Sequence, residues 1–129
     1  MANNTDTETD TKSTSLDLLS TLVAKAMKAG ASAADAVTSN GVALSVSQRL
    51  GKREDLERSE GTDLGLRVFV GKQQAMVAST ETSERAMDEL VSRAISMAKA
   101  ASEDPYCGLV DPGQLMTTAL PDLDLLDPS

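Results

Sequence analysis

Four turn dipeptides about ten residues apart, Asn40-Gly41, Gly51-Lys52, Glu60-Gly61 and Gly71-Lys72, divide the middle of the chain into short segments. Between such breaks there is room for strands and little for helices. Asn-Gly suits a type I′ turn and Gly-Lys a type II′ turn, both matched to the twist of paired strands. The segments alternate as half-buried strands do. Val42, Leu44, Val46 and Leu50 share one parity, and Leu64, Leu66, Val68 and Val70 share one face, with Gly65, Arg67 and Phe69 opposite. Met76 and Ala78 oppose Ala75 and Val77, while Arg53–Ser59 offers only Leu56 as a strongly apolar residue. The pattern predicts an antiparallel meander of up to five strands from Ala34 to Ser79.

Two helical patterns flank it. Leu16, Leu19, Leu22, Val23, Ala26 and Met27 recur at helical spacing, with Thr14 or Ser15 as cap, Lys25 and Lys28 near the carbonyl end and Gly30 as a left-handed stop. A helix over Leu16–Ala29 is expected. After Thr82 or Ser83, Met87, Leu90, Val91, Ala94, Ile95 and Ala98 form a second stripe, Glu89 and Arg93 stand one turn apart, and Pro105 forbids continuation past Asp104. The fold class is α+β: an antiparallel β-meander with two long amphipathic helices packed on one face. Residues 1–13 are expected as a disordered tail, 14–104 as the domain, and 105–129 as a proline-punctuated linker toward a missing C-terminal domain, since Leu109, Leu115, Met116, Leu120, Leu123, Leu125 and Leu126 need a surface to cover them.

Composition narrows the chemistry. With one Phe, one Tyr and no Trp among 129 residues, no base-stacking platform can be assembled, and a net charge of −8 opposes binding to nucleic acid or anionic membrane. The lone Cys107 excludes an internal disulfide and suits a reducing compartment. The polar, acidic start lacks the features of a signal peptide, so a cytoplasmic setting is expected.

Histidine is absent, which removes the Ser/His and Cys/His nucleophile pairs and leaves carboxylates and one thiol as an unusual zinc donor set. No catalytic, cofactor-binding or metal-ligating residue is therefore expected here. Cys107 reads as incidental. Glu54, Asp55, Glu57 and Glu60 read as a cross-strand ion-pair face neutralised by Arg53, Arg58 and Arg67. The glycines of Gly61-Thr-Asp-Leu-Gly65 lack the Lys-Ser/Thr ending and following helix of a phosphate loop.

The stretch Gly51-Lys-Arg-Glu-Asp-Leu-Glu-Arg-Ser-Glu60, continuing through Asp63-Leu-Gly-Leu-Arg-Val-Phe-Val-Gly-Lys72 and Gln74-Ala75, resembles the amino-terminal signature of the TldD/PmbA family, nearest its PmbA-type branch. The resemblance runs on through Ser79-Thr80, Ala101-Ser-Glu-Asp-Pro-Tyr106 and Pro121-Asp-Leu-Asp-Leu125, covering Leu16 to Pro128. It implies an amino-terminal fragment of a PmbA-type subunit of a zinc metalloprotease, with Asp127-Pro128 at the junction to the remainder. It further implies a heterodimer in which a TldD-type subunit supplies the zinc and the pair digests unfolded peptides. The zinc-binding helix of the catalytic members cannot be carried over to a chain without histidine.

A meander has open edges, to which an extended peptide can add as another strand. Covering of an edge by a partner subunit, or by the rest of a longer chain, is the competing expectation. A non-catalytic interaction module regulating a partner protein is the alternative from a different class.

Overall fold

The computed structural model describes the backbone of residues 5–125 and the side chains of residues 14–125. The elements follow in the order α1 (Thr5–Lys28), β1 (Ala33–Arg49), β2 (Lys52–Val70), β3 (Gln73–Ser79) and α2 (Glu84–Ala100), with a single 3-10 turn at Pro112–Gln114. The strands form one antiparallel sheet in the order β1-β2-β3. In this register Ala34, Ala36, Leu64, Leu66, Val68, Ala75 and Val77 share a face, and both helices pack there. The α+β arrangement with two helices on one face is thus present.

The ends of the helices obey local rules. Gly30 takes φ +111°, the Gly30 amide donates to the Met27 carbonyl at 3.2 Å, and the Ala31 amide donates to the Ala26 carbonyl at 3.1 Å. This is a Schellman stop, which satisfies carbonyls that would otherwise be stranded. At the start of α2, the Ser83 hydroxyl accepts from the Ala86 amide at 3.2 Å. All six stripe residues of α2 are buried. On α1, Leu22 and Ala26 are buried and Leu19 is partly buried, but Leu16 and Met27 face solvent. Lys25 donates to Asp88 at 2.6 Å and approaches Glu84 at 3.6 Å, joining the two helices. The hydrogen bond to Asp88 holds the Lys25 ammonium above its ordinary pKa.

Three expectations need correction. The meander has three strands, not five, because Asn40-Gly41 and Glu60-Gly61 are not turns. Asn40 pairs with Thr62 and Gly41 with Gly61 inside one continuous ladder. Neither glycine has the positive φ that a type I′ turn demands. Secondly, α1 reaches back to Thr5, into the segment expected as a tail; adding residues to a formed helix costs far less than nucleating one. Residues 1–4 of that tail lie outside the described residues, as do Leu126, Asp127 and Pro128. Thirdly, Glu89 is paired with Arg85, at 3.1 Å, and not with Arg93.

Beyond the helices, β1 and β2 continue as a two-stranded ribbon whose residues 41–60 are all exposed. Its tip is Leu50-Gly51, one residue earlier than the expected Gly51-Lys52, with φ +50° and +76°. Two left-handed residues make the type I′ pattern, in which leucine is a poor first member. Leu50 is 96% exposed and has no burial to lose. Leu50→Asn is expected to stabilise the chain by about 1 kcal/mol, read as a higher melting temperature. An unchanged or lower melting temperature would count against a left-handed tip.

Candidate functional site

The strand order leaves β1 and β3 with open edges. The β3 edge, Gln73–Ser79, contains no charged residue. It is pinned at both ends. Gln73 donates from Nε2 to the carbonyls of Lys99 and Ala101, at 3.2 and 2.7 Å, fixing the strand to the end of α2. At the other end the Ser79 hydroxyl accepts from the Glu81 amide at 3.0 Å. Alternate amides and carbonyls along such an edge are available to another extended strand.

Beside that edge, on the sheet face away from the helices, lies a shallow groove lined by Val37, Gly65, Arg67 and Met76, among others. Val37 and Met76 are 65% and 68% exposed, so the groove is apolar and open. Gly65 keeps its floor low, because a Cβ there would stand 3.1 Å from Val37 Cγ1. Arg67 closes one side. It donates from Nε to Asp35 Oδ1 at 2.9 Å and from Nη2 to Asp35 Oδ2 at 2.5 Å, and its guanidinium lies 5.3 Å from the centre of the Phe69 ring. The paired, stacked guanidinium is fixed in a way a free arginine is not. The hydrogen bond to Asp35 raises the Arg67 pKa, so its charge is constant across the physiological range.

The expected ion-pair face is assembled differently. Arg67 lies far along the same strand from Glu54, Asp55, Glu57 and Glu60, since no turn intervenes at Glu60-Gly61. Arg58 pairs with Glu60 along β2 at 2.5 Å, and Arg49 approaches Glu54 at 3.9 Å beside the tip. Directly across from Asp55, Glu57 and Glu60 β1 presents Ser47, Ser45 and Val42, so these three carboxylates face no opposite charge in the register, and the cross-strand contact of the acidic stretch is that of Arg49 with Glu54. Asp55 accepts from the Leu56 amide at 2.8 Å. Arg53, at the bulge, stands opposite Gln48. Reasoning from the sequence missed Asp35 as the partner of Arg67. Its sign was the alternation of Ala33-Ala-Asp35-Ala-Val37, which becomes informative only once β1 is placed in register with β2.

Cys107 is a free, buried thiol in a turn where its amide donates to the Asp104 carbonyl at 3.1 Å. Among the described residues, no three His, Cys, Asp or Glu side chains are grouped so as to hold a metal ion. No helix among them is long and apolar enough to cross a membrane.

Residues 34–98, comprising the strands from Ala34 onward and α2 to Ala98, match the family of PmbA/TldA metallopeptidase domain 1. This chain belongs to that family. The PmbA homolog of Haemophilus influenzae, a metalloprotease by name, is 41% identical over 100 residues, covering 78% of this chain and 22% of its own length. Metalloprotease PmbA of Escherichia coli O157:H7 is 32% identical over 96 residues, covering 74% and 21%. The chain therefore spans about a fifth of the length of these PmbA relatives. Two solved structures share the fold at 19% identity, each matched over 87% of this chain and 25% of its own. One, a candidate modulator of DNA gyrase from Bacteroides thetaiotaomicron, has a TM-score of 0.69, and TldE from Thermococcus kodakarensis has 0.64. In this chain the domain is thus a small sheet with an open, uncharged edge and an apolar groove beside it.

Proposed function

We propose that this chain is the amino-terminal domain of a PmbA-type subunit, contributing peptide and subunit contacts to the proteolysis of unfolded peptides. The observation that carries the peptide role is the β3 edge: uncharged, open, and held at both ends by Gln73 and Ser79. Strand addition there takes its affinity from backbone hydrogen bonds, which every unfolded peptide can make. Side chains of the added strand would alternate, one set falling on the face that carries Met76 and the Arg67 groove. An edge strand already formed by pairing with β2 lowers the entropy lost on binding, because chiefly the peptide has to be ordered.

The hydrolytic chemistry belongs elsewhere in this reading. Zinc suited to activating water is held by histidine, cysteine and carboxylate ligands. The described residues do not fit such a centre, since histidine is absent from the sequence and, among them, neither Cys107 nor the carboxylates gather into a group of three that could hold a metal ion. We assign the zinc to a TldD-type partner. A single free thiol suits a cytoplasmic setting for the pair.

The full-length protein, mixed with a TldD-type partner, is expected to digest a flexible peptide. A chelator should abolish digestion, and a partner lacking its zinc ligands should support none. The 129-residue chain alone should leave the peptide intact. Digestion by this chain, persisting after chelation and repurification, would overturn the assignment.

A further inference from the structure

Asn40-Gly41 has the chemistry of a turn but lies inside a strand. It is the only Asn-Gly of the sequence; the other asparagines, Asn3 and Asn4, precede Asn and Thr. Such a pair has a second chemistry besides turning. Glycine has no side chain to shield the amide nitrogen, which can attack the side-chain carbonyl of the asparagine before it. A bond forms from the Gly41 nitrogen to Asn40 Cγ, the bond from Cγ to Nδ2 breaks, and ammonia leaves with the amide proton. Water then opens the five-membered imide at either carbonyl, giving aspartate or isoaspartate. No oxidant or cofactor is consumed.

The ladder blocks the first step. Ring closure needs the Asn40 backbone rotated so that the following nitrogen swings toward the Asn40 side chain. A paired antiparallel strand holds ψ near about +135°, with that nitrogen turned away. The side chain is held as well: Asn40 Oδ1 accepts from Thr62 Oγ1 at 2.9 Å, across the register pair. One rung further on, Gly41 stands opposite Gly61, so no cross-strand side-chain contact adds to the backbone pairing there. The protection of Asn40 therefore resides in the pairing of β1 with β2 and in Thr62.

We propose that Asn40 is a self-modification site, converting to aspartate and isoaspartate at a rate set by the fraction of time the ribbon stands open around Gly41. Neither the peptide edge nor the protease reading enters this chemistry. Further chain covering the outer side of β1 would lower that fraction and leave the site as it is. Isoaspartate carries one extra carbon in the main chain, which breaks the two-residue period on which the register depends. Either product adds a carboxylate to a chain already at −8. Conversion thus marks chains whose ribbon has spent long open.

The test is incubation of the 129-residue chain at mildly alkaline pH, with peptide mapping by mass spectrometry to locate and count the conversion. The chain unfolded in guanidinium chloride should convert at Asn40 at least about tenfold faster than the folded chain, because the reaction runs only from the open form. Thr62→Val, checked for folding by far-UV circular dichroism, should convert severalfold faster than wild type. Gly41→Ala should slow conversion even in the unfolded chain, since the methyl group shields the nitrogen; in the ladder its Cβ meets nothing within 4 Å. Equal rates in the folded and unfolded chain would overturn the proposal. So would conversion confined to Asn3 or Asn4 with Asn40 intact, or a folded Thr62→Val chain that converts no faster than wild type.

Discussion

Leu22→Ala is expected to lower the unfolding free energy by about 2–5 kcal/mol, whereas Leu16→Ala should change it by less than about 0.5 kcal/mol. Both leucines lie on α1 and belong to the same helical stripe in the sequence. Leu22 is 0% exposed and sits in the core cluster with Leu64, Leu66 and Val68, while Leu16 is 61% exposed. Truncating Leu22 removes buried methyl groups and leaves a void that neighbours fixed by the sheet cannot refill. Alanine is the better helix former in both variants, so propensity does not distinguish them. Since a domain of this size is held by only some 5–15 kcal/mol, Leu22→Ala should shift a chemical denaturation midpoint visibly. Equal shifts for the two variants would show that α1 docks through a different face.

The second large effect belongs to the β2–β3 turn. Gly71 has φ +61° and is the first of the two residues connecting Val70 to Gln73, the position where a type II′ turn places glycine. Gly71→Val should cost about 1–2 kcal/mol. The cost is one of backbone alone, because a Cβ there meets nothing within 4 Å. Lys72→Val should cost much less: the contact Lys72 makes here is its carbonyl accepting from the Asp104 amide at 2.8 Å, which valine would keep. Thermal melts of the two variants check this, and matching losses would contradict the left-handed geometry at Gly71.

The sequence was most legible where one physical signal acted alone. The stripe of α2 carried through because helical spacing, the Ser83 cap and Pro105 agree on a single answer. The Gly71-Lys72 turn was readable for the same reason. Misreading came where composition and register compete. Asn40-Gly41 and Glu60-Gly61 have turn chemistry, but each lies opposite the other across the ladder, and long-range pairing outweighs the local preference. That error moved Arg67 next to the acidic run and hid its partner, Asp35. The split between Leu22 and Leu16 was likewise out of reach, because periodicity gives a helix its apolar face but not the length over which that face is covered. Of the candidate site, the existence of open edges was legible; which strand owned them waited on the strand order.

The ribbon formed by β1 and β2 is closed at both ends. Leu50 and Gly51 turn the chain at one end, and at the other Ala34 and Ala36 enter the core beside Val68 and Leu66. A free hairpin frays from its open end, rung by rung, at little cost. Here that end is clamped. The exposed rungs from Gly41 to Arg49, a length of roughly 27 Å, can therefore open only as an internal bubble between two fixed points. Such a bubble is easiest to start at the Ser47/Gln48 irregularity, where the register already shifts. Brief opening there lets the ribbon adjust its twist while its two ends stay in place. The strand edge can then conform to whatever docks along it without any loosening of the packed half of the molecule.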